Sequence, residues 1–403
     1  MAGNGIDTLI EALGSGLDGR LVRPGDADYD AVRSIVANSA DRRPAVIVRA
    51  KSARDVQRTV DAARAGGVEL AVRGGGHSGA GHSASEGGVV LDLRDMHAVT
   101  IDTATQTAWV ETGATAGEVN AATAAEGLVV GFGDTASVGV GGNFGVAVRL
   151  RFQLHEMPAF TGGLMVLPAT PEVVASFVAA AATAPEELSS ICNVTPAPPL
   201  PFLPPAVHGK LIVFTMLAFA GEAEAAQRAL APFRALGPIV DMVKPGPYAS
   251  MFPPEDPNAH PTAATATMFM SHVDGGVART IIDTLSGATS AFAAVQLRVL
   301  GGAAARVAAD ATAYAHRASP IMVNVMALYN PADRAAQETW VEELAAALRQ
   351  DQAGAYVNFL GAEGPERVRA AYPGATWDRL RAIKAKYDPG NLFRLNQNIV
   401  PAT

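Results

Sequence analysis

The sequence predicts an α+β protein built as two lobes, and three observations carry that reading. The chain has 403 residues, more than the roughly 250 to 300 at which a single hydrophobic core stops growing. Its first third reads as a β-α-β unit that ends in glycines and is followed by short strands. The remainder mixes strands with helices, as in an α+β lobe with a mainly antiparallel sheet. Apolar residues make up 49% of the chain and charged residues 17%, a composition that supports packed cores rather than disorder.

Residues 1–44 read as an introductory helix and loop ending at Arg42-Arg43-Pro44, because a proline stops a helix at the residue before it. Ala45 to Arg49 is a β-branched strand. Ser52 then caps a helix with Asp55 three residues on, and Val56, Val60 and Ala63 recur at helical spacing. Glu69 to Arg73 returns as a strand. Val89–Leu93, Ala98–Asp102 and Thr107–Glu111 follow as strands between short polar turns. An Ala-rich helix spans 116–126 and is closed by Gly127. Phe144 to Leu154 alternates apolar and polar residues from Val146 onward, as a half-buried strand does.

The lobe boundary falls near 158–168, which divides the chain into 1–44, 45–160, 161–375 and a closing segment, 376–403. Within the second lobe, helices are expected over 171–182, 222–236, 277–286 and 331–349. Strands are expected at Leu211–Phe219, Ala266–His272, Ala294–Leu300 and Ile321–Leu328. Six prolines between Pro196 and Pro205 mark loop or edge.

The formal charge of −8 excludes polyanions such as nucleic acids as partners, since no run of Lys and Arg exceeds two residues. The one cysteine, Cys192, rules out an intrachain disulfide and a cysteine-based metal site. Met1 to Leu13 carries Asp7 and Glu11 and does not read as a signal peptide. With no apolar run of about 18 residues, the expectation is a cytoplasmic protein, monomer or homodimer, acting on a small molecule away from membranes.

The sharpest local feature is Arg73-Gly74-Gly75-Gly76-His77-Ser78 at the end of a predicted strand. Three glycines let the backbone curl tightly and bring bare N–H groups against a pyrophosphate. A dinucleotide is the natural ligand. Strands rather than a long helix follow, which sets the motif apart from the Rossmann fingerprint. Taken alone, the motif is equally a glycine-rich turn with an incidental histidine.

The motif has company. RGGGHS, the GGVVLDL of 87–93 and the WVETGAT of 109–115 resemble the vanillyl-alcohol-oxidase (PCMH) type of FAD-binding domain. Tyr356-Val357-Asn358-Phe359 and the run from Tyr387 to Ile399 (YDPGNLFRLNQNI) resemble the closing segment of berberine-bridge-enzyme-like FAD-linked oxidases. The resemblance implies FAD as cofactor, held by Arg73, Gly74, Gly75, Gly76, His77, Ser78, Gly139, Asn143, Gly145, Val146, Asn396 and Asn398. It implies a covalent bond from His77 to the flavin ring's methyl carbon. Thr135 stands where some members place a second, cysteinyl link, so that link is not available here. Tyr356 matches a catalytic base or orienting residue near the ring, although a phenol needs its anion stabilised to act as a base at neutral pH; the alternative is a strand residue packing on the ring. For Asn396 and Asn398 the alternative is backbone capping in the tail. The closing segment, 376–403, is expected to return to the FAD-binding lobe.

One departure from the family stands out. Ala136-Ser137-Val138-Gly139-Val140 passes straight into Gly141-Gly142-Asn143-Phe144-Gly145-Val146, where the family carries a second glycine-rich loop and further elements. About sixty residues are expected to be missing after Val140. Their loss removes backbone donors to the diphosphate, each charge-assisted bond contributing roughly 1.5 to 3 kcal/mol. Three readings follow. The chain is an oxidase of a small alcohol, sugar or secondary-metabolite carbon, with hydride passing to FAD. Alternatively it has lost FAD and catalyses a cyclisation, elimination or isomerisation. The third reading is a ligand-binding relic.

Tyr248, His316 and Asn358 are the candidate substrate residues, with Tyr248, Phe252, Met268, Met270 and Trp340 either lining an apolar cavity or packing as ordinary core. His77 and His82 lack the further ligands that a metal needs, so no metal is expected. His208, His260 and His272 read as structural.

Overall fold

A computed structural model describes residues 2–14, 16–36, 41–133, 135, 142–157, 159–252 and 260–403. They form two compact units, one comprising Met1–Glu156, Phe252–Pro261 and Trp377–Thr403, the other Met157–Met251 and Thr262–Thr376.

The first unit opens with α1 (Ala2–Leu13), β1 (Arg20–Val22) and α2 (Tyr29–Arg33), so the first 44 residues contain a strand that the sequence reading left as loop. Then come β2 (Val46–Arg49), α3 (Ala53–Gly66), β3 (Leu70–Arg73) and β4 (Val89–Asp92). Ser52 caps α3 by accepting from the Asp55 N–H. The strands lie in the order β1-β2-β4-β3, with β2 and β3 both parallel to β4 and β1 antiparallel at the edge. Each of the three parallel strands is buried on both faces, which is why they read as unbroken Val/Ile/Leu runs. Leu9 and Leu13 of α1 and Val56 and Ala63 of α3 fill one face. Val22, Tyr29 and Val32 fill the other.

β5 (Val99–Asp102), β6 (Thr107–Glu111), α4 (Ala116–Ala125), β7 (Leu128–Val129), β8 (Arg149–Gln153) and β9 (His155–Glu156) complete the first stretch of the unit. They form the sheets β5-β6-β8 and β7-β9. Thr115 and Glu118 make a reciprocal capping box on α4, and Gly127 ends the helix at φ +70°. The expected strand from Phe144 begins only at Arg149, and Asn143 ahead of it is committed to bonds described below.

The second unit contains β10 (Phe160–Pro168), α5 (Pro171–Ala182), β11 (Leu188–Pro196), β12 (Leu211–Ala220), α6 (Ala223–Arg234), β13 (Val240–Asp241), β14 (Lys244–Pro245), β15 (Ala263–Met270), α7 (Gly275–Ser286), β16 (Ala293–Val299), α8 (Gly302–Ala305), β17 (Ile321–Leu328), α9 (Arg334–Leu348) and α10 (Pro365–Ala371). Its antiparallel sheet runs β13-β10-β12-β11-β16-β17-β15, with β14 also on β10. β10 occupies the segment where a boundary was expected, and β11 was not anticipated. α5, α6, α7 and α9 pack Phe177, Phe233, Ile281 and Leu344 against one face of the sheet. Met268 and Met270 are buried in this core and Trp340 packs against it, so the cavity reading gives way to ordinary packing for these three. The last helix, α11 (Ala375–Tyr387), leads into the closing segment of the first unit. No described helix is long and apolar enough to cross a membrane.

Candidate functional site

The glycine turn leaves β3 at Arg73, whose side chain is 1% exposed. Its guanidinium donates to the carbonyls of Val32 (2.6 Å), Arg33 (3.0 Å) and Ser83 (3.1 Å), and lies 3.7 Å from the Asp92 carboxylate. Burial pushes its pKa down to about 10, against the pull of Asp92. Arg73 therefore caps the free carbonyls at the end of α2 and ties them to the turn. The sequence reading placed it on the cofactor; the structure turns it inward.

Beyond Arg73 the backbone reaches φ +77° at Gly76, a conformation strained for any side chain, and a Cβ there would sit 3.7 Å from Ile35. Ser78 receives the His82 N–H at its Oγ (3.3 Å) and the Gly81 N–H at its carbonyl (2.9 Å). Arg42 donates to the carbonyls of Gly81 and Ala84. These bonds hold the loop that presents His77, a half-buried side chain. The Nδ1 of His82 is buried without a hydrogen-bond partner among the described residues. Burial, reinforced by the Arg42 charge, pushes its pKa down to about 4. Among the described residues no three His, Cys, Asp or Glu side chains group as metal ligands.

The closing segment folds onto the same strands. Leu395 packs against the cluster that Ile47, Ala71 and Val90 form with Val22, Tyr29 and Val32. Arg394 lies 3.8 Å from Glu69, which accepts a hydrogen bond from Ser85 of the glycine loop. A buried pair organises this region: Lys384, fully buried, meets Asp388 at 2.7 Å and donates to the carbonyls of Phe393 (2.8 Å) and Asn143 (2.6 Å). Asp388 in turn accepts from the N–H groups of Leu392 and Phe393. Asn143 donates to the Gln397 carbonyl at 2.9 Å and accepts from the Ile399 N–H. Val146 packs on the core of this unit beside the half-buried Gly145. Gly139 and the expected join lie outside the described residues. The sequence reading missed Lys384 and Asp388, although their i,i+4 spacing beside Tyr387-Asp388-Pro389 was the available signal.

Asn396 donates its amide to the carbonyls of Phe393 and Gly142, which fixes its orientation and leaves its Oδ1 buried and unpartnered among the described residues. The Oδ1 of Asn398 is buried in the same condition.

In the second unit, Tyr356 precedes a short 3₁₀ turn rather than lying in a strand. Its hydroxyl oxygen accepts from the Asn358 amide at 2.9 Å. Its ring meets Tyr314 edge-on at 6.0 Å and Phe359 at 5.4 Å. His316 stacks on Phe269 at 4.6 Å and its Nε2 bonds the Ala370 carbonyl. Burial lowers the His316 pKa and raises that of Tyr314. Gly354 permits this packing, since a Cβ there would meet the His316 ring at 2.7 Å. His316 and Asn358 thus join Tyr356 in one aromatic cluster. Tyr248 does not: it contacts Phe160 of β10, toward the other end of the sheet from β15.

Two family models match the chain, an FAD-binding domain over residues 44–148 and a berberine and berberine-like domain over 355–400. The uncharacterized FAD-linked oxidoreductase YgaK of Bacillus subtilis is 26% identical over 96% of this chain and 97% of its own length. Among solved structures, 6-hydroxy-D-nicotine oxidase from Arthrobacter nicotinovorans superposes with a TM-score of 0.83 at 22% identity, covering 96% of this chain and 99% of that one. Xylooligosaccharide oxidase from Myceliophthora thermophila superposes with a TM-score of 0.82 at 20% identity, covering 99% of each chain.

FAD asks for bare backbone beside a diphosphate and for partners to the polar edge of its ring. The glycine turn supplies the first, with Gly76 in a conformation reserved for glycine. Asn396 and Asn398 supply buried carboxamide oxygens in want of a donor. The residues fit the group, and the chain carries, in order along it, an FAD-binding domain and a berberine-like domain, an arrangement similar to that of berberine-bridge-enzyme-like FAD-linked oxidoreductases.

Proposed function

We propose that this FAD-dependent oxidoreductase is an oxidase of a hydroxyl-bearing carbon in a small molecule, with His77 as the residue that fastens the cofactor. FAD, when bound, takes a hydride equivalent from the substrate carbon and passes two electrons to oxygen. The observation that carries the reading is the pair of carboxamide oxygens on Asn396 and Asn398 that have no partner among the described residues, in the segment whose Leu395 packs on the core of the first unit's parallel strands.

The remaining roles belong to side chains. Gly74, Gly75 and Gly76 offer backbone N–H groups to the diphosphate, and Ser78 holds their turn through the His82 amide. Asn143 secures the closing segment rather than meeting the ring itself. Tyr356 receives the proton of the substrate hydroxyl. The Asn358 amide donates to the Tyr356 oxygen and fixes its position. His316 remains neutral near pH 7 because burial disfavours its cation.

The expected loss of residues after Val140 is part of this proposal. The alignment to YgaK runs over 454 positions, more than the chain's own 403 residues, so the relative carries residues without a counterpart here. A shortened wall makes the bond at His77 the main means of retaining FAD. Hydrogen peroxide formation with a panel of alcohols and sugars tests the reading; a flavin-loaded protein that forms none with any of them contradicts it.

A further inference from the structure

One sheet of the first unit ends on a strand with an open side. In β5-β6-β8, β6 is central and β8 is an edge. Leu154 donates its N–H to the Gln106 carbonyl at one end of the pairing between β6 and β8, and Thr112 donates to the Val148 carbonyl at the other. The bonded pairs between these ends are therefore Ala108 with Phe152 and Val110 with Leu150. The N–H and C=O groups of Arg149, Arg151 and Gln153 consequently point away from β6, and no described strand continues the sheet on that side.

The side chains of the same three residues are exposed, on the face that carries Trp109 and Glu111, while Ala108 and Val110 turn into the core. Trp109 is 41% exposed, with the Arg149 guanidinium 4.5 Å and the Arg151 guanidinium 6.0 Å from its ring centroid. Arg151 also reaches the Thr107 hydroxyl at 3.5 Å, and neither arginine forms an ion pair among the described residues. The acids of this face are engaged elsewhere: Glu111 accepts from the Ala98 N–H and Asp102 from the Thr105 N–H. Two cations without a counter-charge thus flank an aromatic ring along an open strand edge, in a chain whose net charge is −8.

Charges on an edge strand deter indiscriminate pairing, and the same charges select an incoming strand of opposite sign, because facing residues of paired strands share a face. A second copy of this chain is disfavoured there, since antiparallel pairing centred on Arg151 sets two guanidiniums opposite each other. We propose that the β8 edge is a docking site for an extended acidic segment of a partner protein, which joins the sheet as a further strand and sets alternate carboxylates on Arg149 and Arg151 beside Trp109. Main-chain bonds supply the affinity and the alternate carboxylates the selectivity. The site is independent of the oxidase reading.

The test uses the full-length protein as purified, with fluorescein-labelled peptides followed by anisotropy at low salt. A peptide of alternating Glu and Thr is expected to bind saturably, at least about tenfold more tightly than one of alternating Lys and Thr. N-methylation at its Glu residues removes the donors of one peptide edge and is expected to weaken binding at least about tenfold. The double variant Arg149→Gln, Arg151→Gln is expected to weaken binding about tenfold at an unchanged thermal midpoint. Trp109→Thr, which keeps both charges, is expected to weaken it by a smaller factor. Arginines that only guard the edge predict no saturable binding of any peptide. That result, equal binding of the Lys peptide, the N-methylated peptide or an oligothymidylate, or unchanged binding in either variant overturns the proposal. So does a dimer in sedimentation velocity that the double arginine variant dissolves, because a second copy then occupies the edge.

Discussion

The Nζ of Lys384 lies 2.6 Å from the carbonyl oxygen of Asn143, joining the last helix to the backbone that enters β8. The two residues are 241 positions apart. The same ammonium reaches Asp388 and the Phe393 carbonyl, so one buried cation holds three stretches of chain. Lys384→Met leaves Asp388 buried without its counter-charge. We expect a loss of about 3 to 5 kcal/mol, seen as a lower urea midpoint; an unchanged midpoint contradicts this clasp.

Arg73 gives a sharper test, because two roles predict different readouts. Its side chain bonds three carbonyls inside the first unit. Arg73→Lys cannot reach all three and should lower stability by about 2 to 4 kcal/mol. Flavin content per folded molecule should not change. Loss of flavin at unaltered stability would return Arg73 to the cofactor.

His82 predicts a pH dependence. Its folded-state pKa is about 4, below the ordinary 6.5, because the ring is buried. Between those values the unfolded chain binds a proton that the folded chain refuses. Its contribution to stability is therefore present above pH 6.5 and lost as pH falls toward 4, by up to about 3 kcal/mol. His82→Leu should flatten that part of the stability profile in denaturant titrations at stepped pH, and an unchanged slope would show that other groups set it.

Tyr356 and Asn358 divide the work at the aromatic cluster. Tyr356→Phe removes the proposed proton acceptor and should lower kcat by about 10² to 10⁴-fold, with flavin content intact. Asn358→Ala removes the donor to the Tyr356 oxygen. It should lower kcat without matching the loss of Tyr356→Phe. An unchanged kcat in Asn358→Ala would contradict this division.

What was legible in the sequence was what short range decides. Ser52 caps α3, Thr115 and Glu118 box α4, and the β-branched runs of β2 and β4 report burial on both faces, so the β-α-β unit around the glycine turn was readable. β11 escaped because Ser189, Ser190, Asn193 and Thr195 dilute its apolar pattern, although it lies between β12 and β16. The alternation that begins at Val146 reads as strand, yet the nearby Asn143 is committed to Gln397, Ile399 and Lys384, partners far along the chain. The inward turn of Arg73 depends on carbonyls about 40 residues earlier. The separation of Tyr248 from Tyr356 depends on sheet order. Both are facts of long-range pairing that periodicity does not encode.

The most direct test of the account is the visible absorbance of the purified protein before and after acid precipitation, with His77→Ala alongside. The account predicts a flavin spectrum that stays with the precipitated wild-type protein and washes away from the variant. A folded wild-type protein that is colourless from the start would contradict it.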